Sequence, residues 1–278
     1  MRIAFLIQAH ANPAQISQLT RSLQALGGDV FLHYDRKSAE PLDGLPDGVR
    51  CVERIPVYHG GFSQVACTLL MLEQAVAQGY DRYFLLSGQC FPIKSRAWLL
   101  ERLALDVDYL NIYPMPCDRL QKRLDRLQHH HFERHAESVG HKLMNRLARL
   151  LPKRDFVNGL SVWPHAGSNW WCLRHDSVAY VLDYVRRMPG FVRFMSTTSY
   201  ADEVFFQSIL SNMGPGYATR PALFHAEFEP ASGRPRLFTM ADVPMLDATE
   251  AFVARKFDLA REPQVLLHYA AAAAGGVA

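Results

Sequence analysis

Cysteine is scarce in this chain of 278 residues. The five cysteines are an odd number, lie scattered along the chain, and include no Cys-x-x-Cys spacing. This arrangement excludes a disulfide framework and a cysteine-ligated zinc site, and it is typical of reduced thiols in a cytosolic protein. The residues are Cys51, Cys67, Cys90, Cys117 and Cys172.

Long apolar runs are also absent. No stretch of about 18 apolar residues occurs, so the sequence predicts no membrane-spanning helix. The N-terminal MRIAFLIQAH has the arginine and the short apolar run of a signal peptide. His10 ends that run at once and no small-residue cleavage site follows, so the segment is predicted to be the first β-strand.

A large excess of one charge is lacking as well. Lys and Arg number 30 and Asp and Glu 27, a formal net charge of +3, which does not favour wholesale nucleic-acid binding. Apolar residues at 49% and charged residues at 21% are typical of a soluble globular protein. The charge is uneven, because residues 119–154 hold ten basic and three acidic side chains, a local net charge of +7.

Apolar strand patterns alternate with helical patterns over the first half of the chain. IAFLIQA, DVFLHYD and YFLLSG are continuous apolar runs, and helical spacing follows the first run and again covers residues 63–78. Strands buried on both faces predict an α/β fold with a mostly parallel sheet covered by helices on both sides. Such sheets bind ligands beyond the carboxyl ends of their strands.

The second half is less regular. The basic stretch 118–154 is predicted to be helical in parts, SNWWCL to be a strand, and residues 202–211 to be a helix. No internal repeat or clear linker occurs. We predict a single domain over residues 1–260 and a C-terminal extension over 261–278, whose Ala/Gly-rich end is predicted to be disordered.

Six short motifs occur in a characteristic order between residues 33 and 258. They are HYDRKS (33–38), VYHGGFSQV (57–65), LLSGQCFPIKS (85–95), GSNWWCL (167–173), SYADEVFFQSIL (199–210) and ARKFD (254–258). Together they resemble the core-2/I-branching β-1,6-N-acetylglucosaminyltransferase family, which includes the peptide O-xylosyltransferases. The resemblance extends from residue 3 to about residue 258. It implies a GT-A-type nucleotide-sugar-binding fold, inversion at the anomeric carbon and no metal ion.

Asp202 and Glu203 stand at the start of the predicted 202–211 helix. Acidic residues in the first turn of a helix are favoured by the helix dipole. Without the resemblance, both residues are therefore interpreted as structural. The resemblance to the family's Ser-Pro-Asp-Glu motif implies that Glu203 is the catalytic base. A carboxylate in that role removes the proton of an acceptor hydroxyl as the oxygen attacks. Asp202 is then a candidate contact of the sugar or acceptor.

Without the resemblance, Lys256 is interpreted as a solvated surface lysine. The resemblance implies that it faces the nucleotide diphosphate, together with an arginine a couple of dozen residues earlier. Arg236 and Arg234 are the candidates, of which Arg236 is preferred, and Arg255 is expected to point the other way. Two fixed cations would offset the charge that grows on the leaving diphosphate, a task that most GT-A enzymes give to a metal.

Further candidate contacts follow the predicted strands. Asp35 ends the second strand, where it could contact uracil or ribose, although a plain turn residue is the alternative. Gly88 allows close backbone approach to a ligand. Ser168 and Trp170 are candidate sugar or acceptor contacts, and one of the adjacent Trp170 and Trp171 is predicted to belong to the core.

Two patterns suggest a metal site but are interpreted otherwise. Asp106-Val107-Asp108 spells the Asp-x-Asp of manganese-binding GT-A enzymes, yet it precedes a predicted strand and so lies at the edge away from the ligand. Cys90 also stands where the family has an aspartate. His131 and His135 would share a helical face, but the HExxH order is missing, so a solvated polar face is preferred. We predict no metal and no cofactor.

The sequence thus predicts an inverting, metal-independent glycosyltransferase that uses a UDP-sugar. UDP-N-acetylglucosamine is the preferred donor and UDP-xylose the alternative. A non-catalytic carbohydrate- or nucleotide-binding protein of the same fold is the rival interpretation. The acceptor is predicted to be a carbohydrate, glycolipid or peptide and not nucleic acid. We expect a cytoplasmic bacterial enzyme, and the basic 119–154 segment is either an anionic-acceptor or peripheral membrane contact or an ordinary exposed helix.

Overall fold

The computed structural model describes residues 1–117, 124–133, 139–160, 162–230 and 233–275. Its main sheet contains β1 (Ile3–Ala9), β2 (Gly28–Tyr34), β3 (Arg50–Cys51), β4 (Arg82–Ser87), β6 (Asp108–Tyr109), β9 (Cys172–Arg174) and β10 (Thr219–Arg220). Within the described residues these strands lie in the order β10-β6-β9-β4-β1-β2-β3. Neighbouring strands are parallel except at β9, which runs antiparallel to β4 and β6.

Two small sheets flank this one. The first orders its strands β11-β12-β5, and the second pairs two strands antiparallel. Their members are β5 (Phe91–Pro92), β7 (Tyr113–Pro114), β8 (His165–Ala166), β11 (Phe224–Ala226) and β12 (Val253–Arg255). The β11-β12-β5 sheet adjoins the carboxyl end of β4, because β5 begins four residues after β4 ends.

Helices occupy most of the remaining described chain. They are α1 (Pro13–Ala25), α2 (Ser63–Val76), α3 (Arg96–Leu103), α4 (Asp125–Gln128), α5 (Val139–Ala148), α6 (Phe156–Leu160), α7 (His175–Arg187), α8 (Pro189–Met195), α9 (Phe205–Ser211), α10 (Val243–Ala248) and α11 (Pro263–Gly275). Two 3₁₀ turns cover Ala201–Glu203 and Met240–Asp242.

Strand β1 divides the interior into two cores. Successive strand residues point to opposite faces, so Ile3, Phe5 and Ile7 belong to one buried cluster and Ala4 and Leu6 to the other. The first cluster includes side chains of α1, α3 and α11, and the second includes side chains of α2, α7 and α9. The predicted α/β class, a mostly parallel sheet with helices on both faces, is therefore confirmed.

The C-terminal end differs from the prediction. Residues 263–275 form α11 rather than a partly disordered extension, and α11 packs against α1. Val265, Leu266 and Tyr269 are buried in the first core. Apolar side chains at helical spacing stabilise the helix by this burial. Residues 276–278 lie outside the described chain, and the boundary at residue 260 stays a prediction.

Several predicted elements are shorter than expected. SNWWCL becomes a strand only at Cys172, and the predicted helix over 202–211 is a 3₁₀ turn followed by α9. The break occurs at Val204, whose φ of −127° leaves helical geometry. In the basic stretch the helices α4 and α5 are present, whereas residues 118–123 and 134–138 are outside the described chain.

No helix within the described ranges is both long enough and apolar enough to cross a bilayer.

Candidate active site

Charged side chains gather beyond the carboxyl ends of β1 and β2. His10 directly follows β1, and the shift of its pKa shows which charges surround it. Burial lowers the pKa of its imidazole, and the Asp35 carboxylate opposes this shift. Arg255, Lys37 and Lys256 lower the pKa of His10 further, so all three cations lie near it. The His10 side chain remains in contact with solvent. The structure thus brings the predicted residues Asp35 and Lys256 together around His10, where positive charges outnumber negative ones.

Hydrogen bonds fix the Asp35 carboxylate within this cluster of charges. Its carboxylate accepts hydrogen bonds from the Lys37 ammonium at 2.7 Å, the Lys37 amide at 2.8 Å and the Val57 amide at 3.3 Å. Burial alone would raise the pKa of Asp35, but these hydrogen bonds lower it below its ordinary value. The carboxylate is therefore ionised and orients Lys37, while its contact with a nucleotide stays a prediction.

Lys256 follows β12 and is held by backbone hydrogen bonds. Its amide donates to the Arg236 carbonyl at 3.3 Å, and its carbonyl accepts from the Phe238 amide at 3.0 Å. The next amide, that of Phe257, donates to the Gln89 carbonyl just beyond β4 at 3.0 Å. These bonds fix the lysine at the ligand-binding edge of the main sheet.

The side chain of Gln15 in α1 holds the same segment through hydrogen bonds. Its buried side-chain amide donates to the carbonyls of Gly88 at 2.9 Å and Phe257 at 3.1 Å. Its side-chain oxygen accepts from the Leu259 amide at 2.8 Å. One side chain therefore joins the end of β4 to the chain on the far side of Lys256.

Arg255 lies near His10, as Lys256 does, so the expectation that it points the other way is wrong. Its guanidinium lies 5.4 Å from the centre of the Trp170 ring and 3.5 Å from the Gln89 side-chain oxygen. Its positive charge also lowers the pKa of the Cys90 thiol, which burial raises. The residue sits at the end of the three-residue strand β12, where the sequence pattern alone does not specify side-chain direction.

Arg236 is bound by two carboxylates. Its guanidinium donates to Glu227 at 2.6 Å and 2.9 Å and to Asp242 at 2.7 Å and 2.9 Å. These hydrogen bonds raise its pKa above the usual arginine value. The Arg236 charge is thus already balanced in this structure, and its predicted contact with a diphosphate stays a prediction. The alternative Arg234 is exposed.

Glu203 ends the 3₁₀ turn that precedes α9. Its carboxylate accepts a hydrogen bond from Arg126 at 2.7 Å, and each side chain keeps about a quarter of its surface exposed, 24% and 23%. The Arg126 guanidinium also lies 4.7 Å from the centre of the Tyr200 ring. Glu203 is therefore a solvent-accessible carboxylate held against a cation.

Tyr200 connects this turn to the loop that follows β3. The Tyr200 amide donates to the Gly60 carbonyl at 2.7 Å, and its ring meets that of His59 edge to face. The neighbouring Asp202 is buried, and its charge together with that of Asp35 raises the pKa of Cys67, which burial already raises. Asp202 and Asp35 thus both lie near Cys67 of α2.

The 167–171 segment lies beside Glu203. The Gly167 amide donates to the Glu203 carbonyl at 2.9 Å, and a Cβ on Gly167 would fall only 1.7 Å from the Asn111 carbonyl oxygen. Glycine is required there because the backbone of Asn111 leaves no room. Ser168 is fixed through its carbonyl, which accepts from Gln207 at 2.7 Å.

The two tryptophans separate as the sequence predicts. Trp171 is buried and packs on Phe206, so it is the core member of the pair. Trp170 is half-buried, stacks on Phe224 of β11 and lies under Arg255. This stacking places Trp170 between the Glu203 side of the site and the cationic side, and its sugar contact stays a prediction.

Comparison with known proteins identifies the family. The model of the core-2/I-branching enzyme family matches residues 3–244. The chain belongs to this core-2/I-branching enzyme family. It is accordingly a glycosyltransferase. No curated protein matches the chain.

Two solved structures are similar to it at low identity. A Bacillus anthracis protein described as a glucose-1-phosphate thymidylyltransferase, solved with sucrose, is 10% identical over 64% of this chain and 74% of its own, with a TM-score of 0.32. Apo mouse xyloside xylosyltransferase 1 is 11% identical over 91% of this chain and 97% of its own, with a TM-score of 0.34. At these TM-scores, neither likeness carries an argument about this chain.

The Asp-x-Asp of this core-2/I-branching enzyme lies where the sequence predicts, at the amino end of β6. Asp106 pairs with Arg174 at 2.6 Å. Asp108 is fully buried and accepts from Ser177 at 2.5 Å and Tyr217 at 2.8 Å. Both carboxylates thus join strands and helices at the edge opposite His10. Among the described residues, no group of three or more metal-ligating side chains is suitably placed to hold an ion.

Two other predicted features of the enzyme can be located. Cys90 is buried, and its sulfur accepts from the Ser87 amide at 3.3 Å, so it closes the turn after β4. Gly88 is buried against β1, because a Cβ there would lie 2.9 Å from the Ala9 Cβ. His131 lies in a non-helical segment, which contradicts the predicted helical face, and His135 is outside the described residues.

Sequence reasoning missed two residues in this region, one of which contacts Glu203. Arg126 belongs to the basic stretch, where a run of similar charges conceals the one that pairs with Glu203. Asn169 is buried, and neither its side-chain oxygen nor its nitrogen has a hydrogen-bond partner. In the sequence, the one signal that pointed to Asn169 was its position between two predicted contacts, Ser168 and Trp170.

Proposed function

We propose that this glycosyltransferase transfers N-acetylglucosamine from its UDP-sugar to an acceptor hydroxyl, with inversion, without a metal ion, and with Glu203 as the general base. The observation that carries the proposal is the pairing of a solvent-accessible carboxylate, Glu203, with a separate cluster of cations around His10. The first group suits proton removal, and the second suits a departing diphosphate.

The chemistry at Glu203 is a single displacement. The acceptor oxygen attacks the anomeric carbon as its proton passes to the Glu203 carboxylate. The bond from that carbon to the diphosphate oxygen breaks, and its electron pair leaves on UDP. Attack opposite the leaving group inverts the configuration. Arg126 holds the Glu203 carboxylate in position, since it donates to the carboxylate at 2.7 Å.

The leaving diphosphate is assigned to Lys256 and Arg255. Both face His10, and Arg255 is oriented by Trp170 and Gln89. Arg236 was the preferred second cation from the sequence. Its two carboxylate partners favour Arg255 in that role and leave Arg236 to support the backbone of Lys256.

The base is tested by Glu203→Gln, with Glu101→Gln on the exposed side of α3 as the matched control. The amide retains the shape of the side chain but cannot take the proton, so transfer should fall by about 10²–10⁴-fold. UDP affinity measured by calorimetry should stay within about twofold, because the diphosphate group is elsewhere. A variant that kept more than about a tenth of the wild-type rate would remove Glu203 from the mechanism.

The cation assignment is tested by Lys256→Ala and Arg255→Ala, with the exposed Arg261→Ala as control. A charge-assisted hydrogen bond is worth roughly 1.5–3 kcal/mol, so each variant should bind UDP about tenfold to a hundredfold more weakly. Transfer should slow further, because charge on the leaving group grows in the transition state. If Arg236→Ala weakened UDP binding while Arg255→Ala did not, the roles of the two arginines would be reversed.

The donor is tested by UDP release without acceptor. Slow hydrolysis of UDP-N-acetylglucosamine in preference to UDP-xylose is expected, and the reverse preference would make the enzyme a xylosyltransferase. Wild-type protein that bound UDP tightly but released none from either donor would support the rival of a non-catalytic binding protein.

A further inference from the structure

Helix α5 and the turn after it present a row of leucines to solvent. Leu143, Leu147, Leu150 and Leu151 are 55%, 54%, 81% and 46% exposed. Their spacing of four, three and one residues puts them along one side of a helix. The helical course continues past Ala148, because the amides of residues 149–151 donate to carbonyls three residues earlier. The leucine row is therefore a continuous exposed apolar strip.

A row of cations runs beside the leucines. Lys142, Arg146, Arg149 and Lys153 recur at nearly the same spacing, and all four side chains are exposed. No acidic residue occurs from 139 to 154. Each leucine except Leu151 directly follows a basic residue in the sequence, so the apolar and cationic rows lie side by side.

The opposite side of α5 attaches the helix to the protein. Ala148 is buried, and the Asn145 side chain exchanges two hydrogen bonds with the backbone of Phe132. The Phe132 amide donates to Asn145 at 2.9 Å, and the Asn145 amide donates to the Phe132 carbonyl at 3.1 Å. The helix thus already has its packed face, and the leucine row is an additional apolar face directed outward.

We infer that this face docks on the surface of an anionic lipid bilayer. A helix with leucines on one side and Lys and Arg beside them inserts its apolar face at the headgroup boundary, while the cations meet anionic lipids. The same basic stretch also carries Arg126 of α4, which pairs with Glu203 of the candidate active site. The inference does not depend on the proposed donor or base.

A second copy of the chain fits the face less well. Two leucine rows packed together would also bring the two cationic rows together, with no acidic residue in either segment to offset them. Like charges at such distances repel. An anionic bilayer supplies both the apolar layer and the opposite charge, so the observations favour it.

Vesicle sedimentation tests the inference with the full chain. Vesicles of phosphatidylcholine alone are compared with vesicles that also contain phosphatidylglycerol, at low and at raised salt. The wild type should bind the anionic vesicles at least about tenfold more tightly, and raised salt should weaken the binding. Thermal unfolding of every variant serves as the measure of correct folding.

Two sets of variants separate the apolar contribution to vesicle binding from the cationic contribution. Leu150→Gln should weaken binding by about tenfold, whereas Leu267→Gln, an exposed leucine of α11, should not. Arg146→Ala and Arg149→Ala should each weaken binding by about fivefold. Arg186→Ala and Arg187→Ala on the exposed face of α7 are the matched controls.

Three outcomes would overturn the inference. The first is wild-type binding to anionic vesicles no tighter than to neutral ones. The second is an equal loss of binding in the control variants. The third is a dimer in sedimentation velocity that Leu150→Gln dissociates, because the leucine row would then be the contact between two copies.

Discussion

Replacing Gln15 by leucine tests whether one buried side chain holds the cationic segment in place. In the wild type, Gln15 donates to the carbonyls of Gly88 and Phe257 and accepts from the Leu259 amide. Leucine is of similar size but makes none of these hydrogen bonds. The change therefore leaves three buried or partly buried backbone groups without this partner.

The expected magnitude follows from these three groups. A buried group left without its hydrogen bond costs about 1–3 kcal/mol. The added apolar surface of leucine offsets part of this, so the net loss in the free energy of unfolding should be about 3 kcal/mol. For a chain of this size, that corresponds to a fall in Tm of about 6 °C or more. UDP affinity should fall about tenfold, because Lys256 directly precedes Phe257, one of the residues that Gln15 no longer holds.

The assay compares Gln15→Leu with Gln18→Leu, a partly buried position on the same helix. Thermal unfolding gives the change in Tm, and calorimetry with UDP gives the change in affinity for the folded protein at low temperature. Equal Tm values and equal UDP affinities for the two variants would refute the argument. A lower Tm with unchanged affinity would limit Gln15 to a structural role.

Three further predictions concern pH, the base and the metal. Burial lowers the pKa of His33 from 6.5 to about 4. Between these pH values the unfolded chain binds more protons than the folded one, so the free energy of unfolding should fall as pH drops from 6.5 to 4. His33→Gln, which keeps an acceptor for the Ile55 amide, should make this fall smaller in urea titrations. Gly167→Ala should slow transfer by about a hundredfold by displacing Glu203, with UDP affinity retained in calorimetry; an unchanged single-turnover rate would contradict this. Transfer should continue in EDTA, and Asp106→Asn should resemble the wild type with or without manganese; loss in EDTA that manganese restores would disprove metal independence.

The central sheet could be predicted because its strands are continuous apolar runs. Residues buried on both faces, such as Phe5 and Leu6, leave no polar side for water, and that pattern admits few alternatives. The helix α11 was missed because an alanine-rich sequence is compatible with both a disordered end and a packed helix. Burial of Leu266 and Tyr269 against the first core, which decides between them, depends on distant parts of the chain.

The candidate site was predictable in its residue types but not in its pairings. The motif around Glu203 identified the carboxylate, whereas its contact with Arg126 joins residues 77 positions apart. The direction of Arg255 depends on where β12 pairs with β5, a tertiary property. The balance of charge at Arg236 likewise required knowing that Glu227 and Asp242 meet there.

The small β11-β12-β5 sheet has a consequence for the order in which the chain matures during synthesis. Its strands come from residues 91–92, 224–226 and 253–255, and it carries Arg255 and, next to it, Lys256. Domains fold as units, and the core that contains β1 also includes side chains of β12 and α11. The cationic half of the site cannot form until almost the whole chain has been made. A nascent chain that ends before residue 253 would thus lack Arg255 and Lys256 together with part of the first core, so the proposed donor site and the fold are completed in the same last stage of translation.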